Sequence, residues 1–304
     1  MSNPAATILA AEGRRFASPL SRAMARRAGL DLSGLVGSGP HGRIVKVDVV
    51  AALGRTVAGS VARSTGLPDV PAFDAIPNGI GRKLLARRLT DSKQQAPHFY
   101  VRMDCNVDAV VQLRAAGPGA DGPKLSINDF VIQAAARALR AVPGVNASFT
   151  PAAIRRYRSV NIAVAVALDD GLLTPVIQNT DTLSVAEIAL AVKDLSERAR
   201  AGTLGPGACS GGTFSVSNLG AYGVREFAAV INPPQGAILA VGAAELRAVV
   251  RNGQLAVATM MTVTLSADHR VIDGAVAAQW LAAFRQLLEN PQANDVWKSS
   301  LHAP

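Results

Sequence analysis

Residues 258–291 read ATMMTVTLSADHRVIDGAVAAQWLAAFRQLLENP. The first third alternates threonine with apolar residues around Val263 and ends in a polar cluster, which predicts a strand. From Gly274 onward apolar residues recur at helical spacing, which predicts an amphipathic helix stopped near Pro291. The segment Asp268-His269-Arg270-Val271-Ile272-Asp273-Gly274 therefore falls on a strand-to-helix turn. Rigid scaffolds display reactive groups on such turns. A histidine placed there can act as a general base near neutral pH. Asp273, four residues on, can fix a neighbouring arginine or the loop itself. The same residues also fit a plain polar turn capped by Asp273-Gly274, and the pattern alone leaves both readings open.

Working outward, TFSVS (213–217) and AILAVG (237–242) predict two more strands. Alternation puts Thr213, Ser215 and Ser217 on one face. A hydroxyl at such a strand end can donate to an oxyanion, although the pattern fits a polar exposed face better. No GxSxG is present, so a hydrolase nucleophile elbow is not supported. SVNIAVAVAL (159–168) alternates at Val160, Ile162, Val164, Val166 and Leu168, ahead of a turn at Asp169-Asp170-Gly171. RKLLARRLTDSKQQ (82–95) predicts an amphipathic helix with a basic start. LSINDFVIQAAARALRAV (125–142) predicts another, with Ser126 as N-cap, Asp129 in the first turn, and Ile127, Phe130, Val131, Ala134, Leu139 and Val142 on one face. Ser184 and Glu187 form a capping-box pattern before a helix through Arg200. Strands mixed with helices predict a layered α/β domain over residues 76–304.

The N-terminal part reads differently. After a tail at 1–15, Ser18 and Pro19 open a helix in which Leu20, Met24, Ala25 and Ala28 repeat, and Gly29 stops it. A glycine loop, GSGPHG (37–42), leads to a second helix, IVKVDVVAAL (44–53), with Asp48 near its start. These elements make a small helical unit over 16–53, followed at 54–75 by an aperiodic stretch read as a flexible linker. The loop matches GxGxxG. No strand precedes it and no acidic residue follows about 20 positions on, so it reads as a structural turn, not a dinucleotide site.

Composition narrows the function classes. The 304 residues are 49% hydrophobic and 17% charged, enough for a large core and against wholesale disorder. No apolar run reaches the ~18 residues of a membrane helix, and the N-terminus lacks a signal-peptide pattern. Two scattered cysteines and four scattered histidines argue against a disulfide framework or a metal site and for a reducing cytoplasm. The net charge is +9 but aromatics are only 4%, which disfavours a nucleic-acid partner. The first 60 residues hold eight basic against three acidic side chains, so the small unit calls for an acidic partner. Arg22 and Arg26, at i and i+4, form a basic stripe on one helix face.

Four stretches, DHRVIDG, GGTFSVSNLG (211–220), INPPQGAILAVG (231–242) and RRLTDSKQQAPHFY (87–100), together resemble the catalytic domain of dihydrolipoamide acyltransferases, the core subunits of 2-oxo acid dehydrogenase complexes. Residues 16–53 resemble the peripheral-subunit-binding domain of the same family. SNLGAYGVREFAAVINPPQGAILAVG (217–242) is most similar to the pyruvate-branch acetyltransferases.

The resemblance implies a chloramphenicol-acetyltransferase-like catalytic domain behind a small helical peripheral-subunit-binding domain. It implies transfer of an acyl group, acetyl by preference, between a dihydrolipoyl arm and coenzyme A. His269 is then the general base, Ser217 the oxyanion donor, and Asp273 a bracing residue with Arg82 as its candidate ion-pair partner. It also implies homotrimers with sites at subunit boundaries, built into cubic or icosahedral cores. Arg22, Arg26 and Arg43 fall where the family grips dihydrolipoamide dehydrogenase or the 2-oxo acid decarboxylase. No lipoyl domain fits within residues 1–15, and the first lysine is Lys46. The lipoyl group is therefore expected on another polypeptide, unless the chain is a truncated product, and a bacterial cytoplasm is expected. The alternative is a catalytically weak core scaffold that recruits dihydrolipoamide dehydrogenase. A stand-alone small-molecule acetyltransferase would have no use for the docking unit.

Overall fold

The computed structural model describes residues 16–61, 73–117, 122–168, 171–205 and 207–294. The expected tail at 1–15, residues 62–72 of the expected linker and the Asp169-Asp170 turn lie outside them. The chain divides into two units between Ile76 and Pro77.

In the first unit, α1 (Pro19–Ala28) starts as expected. The Ser18 hydroxyl accepts from the Ser21 amide, Pro19 occupies the first turn, and Gly29 ends the helix in the left-handed region. Leu20, however, is exposed, and Ser21 takes the buried position beside Ala25. The core of the unit is Ala25, Ile44 and Val49, with Met24, Leu30, Leu32, Leu35 and Leu53 packed around it. The second helix, α2, runs Lys46–Val61, eight residues beyond the point where its periodicity fails in the sequence. The GSGPHG loop is a structural turn. A Cβ on Gly37 would lie 2.4 Å from the backbone of Arg43 and Gly42, so only glycine fits. The Asp48 carboxylate accepts from the amides of Ser38 (3.0 Å) and Val45 (2.8 Å), tying that loop to the start of α2.

The second unit begins with α3 (Ile80–Gln95), β1 (His98–Asn106), α4 (Asp108–Ala116) and α5 (Ile127–Ala141). A hairpin follows, β2 (Ala147–Thr150) and β3 (Ala153–Arg156), then β4 (Ile162–Val164), β5 (Val166–Leu168), β6 (Gly171–Leu173) and β7 (Val176–Ile177). The chain continues through α6 (Val185–Arg200), β8 (Phe214–Asn218), β9 (Ala237–Arg251), β10 (Gln254–Asp268) and α7 (Gly274–Glu289). One sheet carries the domain, in the order β1-β10-β9-β8-β4-β7. β8 is parallel to both β4 and β9, and the other pairs are antiparallel.

The layered α/β expectation holds. α5 is buried almost all round, and its capping box joins Ser126 to Asp129. The core residues of α5 and α7 cluster with those of the sheet strands, and Trp280 stacks on Phe284 and meets Phe214 at a tilt. The capping box of α6 also forms. Two expectations are corrected. The alternating run 160–168 does not make one strand: Ile162–Val164 pair with β8, the Ala165 amide makes a last hydrogen bond to the Val216 carbonyl, and Val166–Leu168 pair with β6 as a separate hairpin. The amphipathic α3 buries only Ser92, half-buries Leu85 and Leu89, and leaves Ile80 and Leu84 in solvent, since no described residue covers those two.

Candidate active site

β10 ends at Asp268 and delivers His269 to the sheet's rim. The His269 amide donates to the Pro97 carbonyl at 3.1 Å, and its ring lies 4.6 Å from that of Phe99. The imidazole is exposed and has no hydrogen-bond partner among the described residues. Its two neighbours are fixed instead. The Asp268 carboxylate is buried and accepts from Arg270 through Nε (3.0 Å), Nη2 (2.7 Å) and the backbone amide (3.0 Å). The Arg270 guanidinium also covers the Phe149 ring at 4.2 Å. The hydrogen bonds that Arg270 donates to Asp268, together with the charge of that carboxylate, hold Arg270 above its ordinary pKa. A cleft of about 450 Å³ opens beside this clamp, lined by Asp268, Arg270, Ser92, Gln95, Phe149 and the Pro233–Gln235 loop, among others.

Within the chain Asp273 holds the end of the turn to the helix that follows. Its carboxylate caps α7 by accepting from the Val276 amide at 3.0 Å. Arg82 is exposed on α3 and forms no ion pair among the described residues, so within the chain the two are not brought together. The arginine of the turn is fixed by Asp268. Sequence reasoning missed that role, although a signal was present. Asp268 continues the alternation Thr262, Thr264, Ser266, all buried, and a carboxylate at a buried position needs a cation. His98 was also missed. Its Nδ1 donates to Ala96, and its Nε2 accepts from the Ile231 amide at 3.1 Å, anchoring the loop that lines the cleft.

Ser217 lies on β8, half-buried, its hydroxyl without a partner among the described residues. The rest of its face is not exposed. Thr213 and Ser215 are buried and hydrogen-bonded, to Asn161 and Gln235. Ser217 pairs with Ala240, which pairs with Thr264, five residues before His269. Two strand spacings across and five residues along put Ser217 and His269 about 19 Å apart. One chain therefore does not bring them together.

Arg22, Arg26 and Arg43 are all exposed and unpaired among the described residues. No group of three or more His, Cys, Asp or Glu among those residues could hold a metal ion. No helix among them is long and apolar enough to cross a membrane. Burial pushes the Cys105 thiol up to about 12, which removes it as a nucleophile.

Comparison with known proteins gives this geometry a family. Residues 71–294 match the model of the 2-oxoacid dehydrogenases acyltransferase catalytic domain. The chain belongs to that acyltransferase family. Residues 15–50 match the e3 binding domain. The chain is 45% identical, over 92% of its length and 68% of the relative's, to the dihydrolipoyllysine-residue acetyltransferase component of the pyruvate dehydrogenase complex of Rhizobium meliloti. It thus spans about two thirds of that acyltransferase. Among solved structures, it matches the cubic core of the pyruvate dehydrogenase multienzyme complex with a TM-score of 0.71 and 31% identity, over 75% of this chain and 99% of that one. It matches the dihydrolipoamide acetyltransferase of Azotobacter vinelandii with a TM-score of 0.71 and 30% identity, over 75% and 99%. That structure addresses a serine, a histidine and an asparagine in the catalytic mechanism of its enzyme. The histidine follows the serine by 52 positions and precedes the asparagine by four, the spacing of Ser217, His269 and Asp273 here.

Proposed function

We propose that this acyltransferase moves an acetyl group between a dihydrolipoyl thiol, carried on a protein lysine by another folded domain, and coenzyme A. The observation that carries the reading is His269, an imidazole free of hydrogen bonds among the described residues, on a clamped turn beside a cleft. His269 takes the proton of the coenzyme A thiol. The thiolate adds to the thioester carbonyl, whose oxygen becomes an oxyanion and accepts a hydrogen bond from Ser217. Collapse of the adduct breaks the bond to the dihydrolipoyl sulfur, which takes the proton back from the imidazolium. Such a base contributes about 10²–10⁴ in rate, and an oxyanion donor about 3 kcal/mol. No acyl-enzyme is required. Asp273 serves by fixing the start of α7 behind the turn, in the place where the Azotobacter enzyme has asparagine.

The separation of about 19 Å between Ser217 and His269 supports a site assembled from two copies, one giving histidine and the next serine. The uncovered apolar residues of α3 support the same reading. Trimers of this kind would build a larger core. The free guanidiniums of Arg22, Arg26 and Arg43 suit acidic side chains of dihydrolipoamide dehydrogenase or of the decarboxylase, and the chain works in a bacterial cytoplasm. Acetyl transfer from acetyl-coenzyme A to free dihydrolipoamide tests the reading. The wild type is expected to be active and His269→Ala to lose at least 10²-fold with its assembly intact. An inactive wild type with an intact assembly would leave a scaffold.

A further inference from the structure

From Phe130 to Leu168 the chain has five arginines and no acidic residue. Two of the five lie on α5 near Asp181, which pairs with Arg140 at 2.6 Å and acts on Arg137 through its charge. The other three, Arg155, Arg156 and Arg158, sit on the β2–β3 hairpin and its exit. All three are exposed, and none forms an ion pair among the described residues. The first strand and turn of this hairpin form one wall of the cleft through Phe149 and Pro151. Phe149 pairs with Ile154, Ser148 with Arg155 and Ala147 with Arg156. Arg156 and the exposed Ile154 therefore share the face of Phe149, the ring beneath Arg270, and Arg155 points from the opposite face.

We propose that the β2–β3 hairpin is the docking surface for an acidic face of the protein domain that carries the acyl thioester into this cleft. The inference rests on the acyltransferase reading above. The placement of the charges favours a protein over the phosphates of coenzyme A. A phosphate site needs donors that converge on one point and are partly shielded from water. These guanidiniums leave both faces of a ribbon into solvent, and none of the three lines the cleft. Charges spread in this way attract a macromolecule at long range and bind it weakly. A carrier that must leave after each transfer needs weak binding of that kind. Ile154, exposed among the arginines, adds a small apolar contact.

The test uses the assembled full chain with Arg155, Arg156 and Arg158 all changed to Glu. Acetyl transfer from acetyl-coenzyme A is measured to free dihydrolipoamide and to a purified, reduced lipoyl domain. The expected result is a KM for the lipoyl domain raised about tenfold or more, a gap that narrows at high salt. The constants for free dihydrolipoamide and acetyl-coenzyme A should stay at their wild-type values. An unchanged KM for the domain would overturn the proposal. A raised KM for acetyl-coenzyme A would assign the arginines to coenzyme phosphates and overturn it as well. Should the triple variant fail to assemble, the three single Gln variants supply the same comparison. A wild type unable to acetylate free dihydrolipoamide would defeat the acyltransferase reading itself, a distinct outcome.

Discussion

Asp268→Asn isolates the clamp that holds the turn carrying His269. The substitution keeps the volume of the side chain but removes the charge that Arg270 grips with Nε and Nη2. Asp268 exposes only 5% of its side chain and Arg270 34%. Breaking a fully buried ion pair costs about 3–5 kcal/mol. Arg270 can partly turn to water, so a loss near that of hydrogen bonds to a charged group, about 1.5–3 kcal/mol, is expected. In a domain of this size that lowers Tm by roughly 3–12 °C. The effect on turnover is larger, because His269 sits between the two clamped residues, and a displacement of ~1 Å costs about 10²-fold. We expect kcat to fall about 10- to 100-fold in acetyl transfer to free dihydrolipoamide, with KM values close to wild type. Arg270→Lys should fall similarly, since an ammonium cannot make the forked contact. Wild-type kcat and Tm in Asp268→Asn would refute the argument that this pair positions His269.

Three further outcomes follow from the packing. Gly242→Ala would place a Cβ 1.9 Å from the Arg225 carbonyl oxygen and 2.7 Å from its carbon. Backbone must therefore move, and thermal unfolding should show a loss of about 1–3 kcal/mol or more. Trp280→Ala empties a fully buried site between Phe214 and Phe284 and should cost about 3–5 kcal/mol by denaturant unfolding. Hydrogen bonds from the Ser38 hydroxyl and from the Val45 and Ser38 amides hold the Asp48 carboxyl below its ordinary range. Its contribution to the small unit is then complete above the unfolded carboxylate pKa and fades as pH falls through the lower folded value. Amide signals of Ser38 and Val45, followed by NMR into acid, should show that loop opening only below about pH 4; in Asp48→Ala it should be open at every pH.

Local signals were the legible ones. Ser18 with Pro19 and Gly29, Ser126 with Asp129, and Ser184 with Glu187 each state a helix end within a few residues of sequence, and each formed as expected. The turn carrying His269 was legible for the same reason, since a strand pattern and a helix pattern meet there. What was not legible depends on partners far along the chain. The run 160–168 alternates throughout, yet only its first part pairs with β8, and beyond the Ala165 amide, which still bonds Val216, it pairs with β6. β9 and β10 extend to 15 residues each, past the predicted segments, because they pair with one another across the left-handed Asn252-Gly253 turn. Asn-Gly between apolar residues is a hairpin signal that the sequence does contain. At the site, the Asp273-Gly274 cap was legible as a turn, and the Asp273 carboxylate accepts from the Val276 amide at the start of α7. The proposed pairing of Ser217 with His269 is illegible in any single chain, since the sheet register keeps them apart.

The most direct test of that last point co-expresses His269→Ala with Ser217→Ala in equal amounts. Each variant alone is expected to be nearly inactive. If histidine and serine come from adjacent copies in a closed ring, random mixing restores an intact pair at about one site in four. The mixed assembly should then recover about a quarter of wild-type acetyl transfer. Activity no greater than that of the separate variants, in assemblies shown to contain both chains, would contradict a site shared between copies.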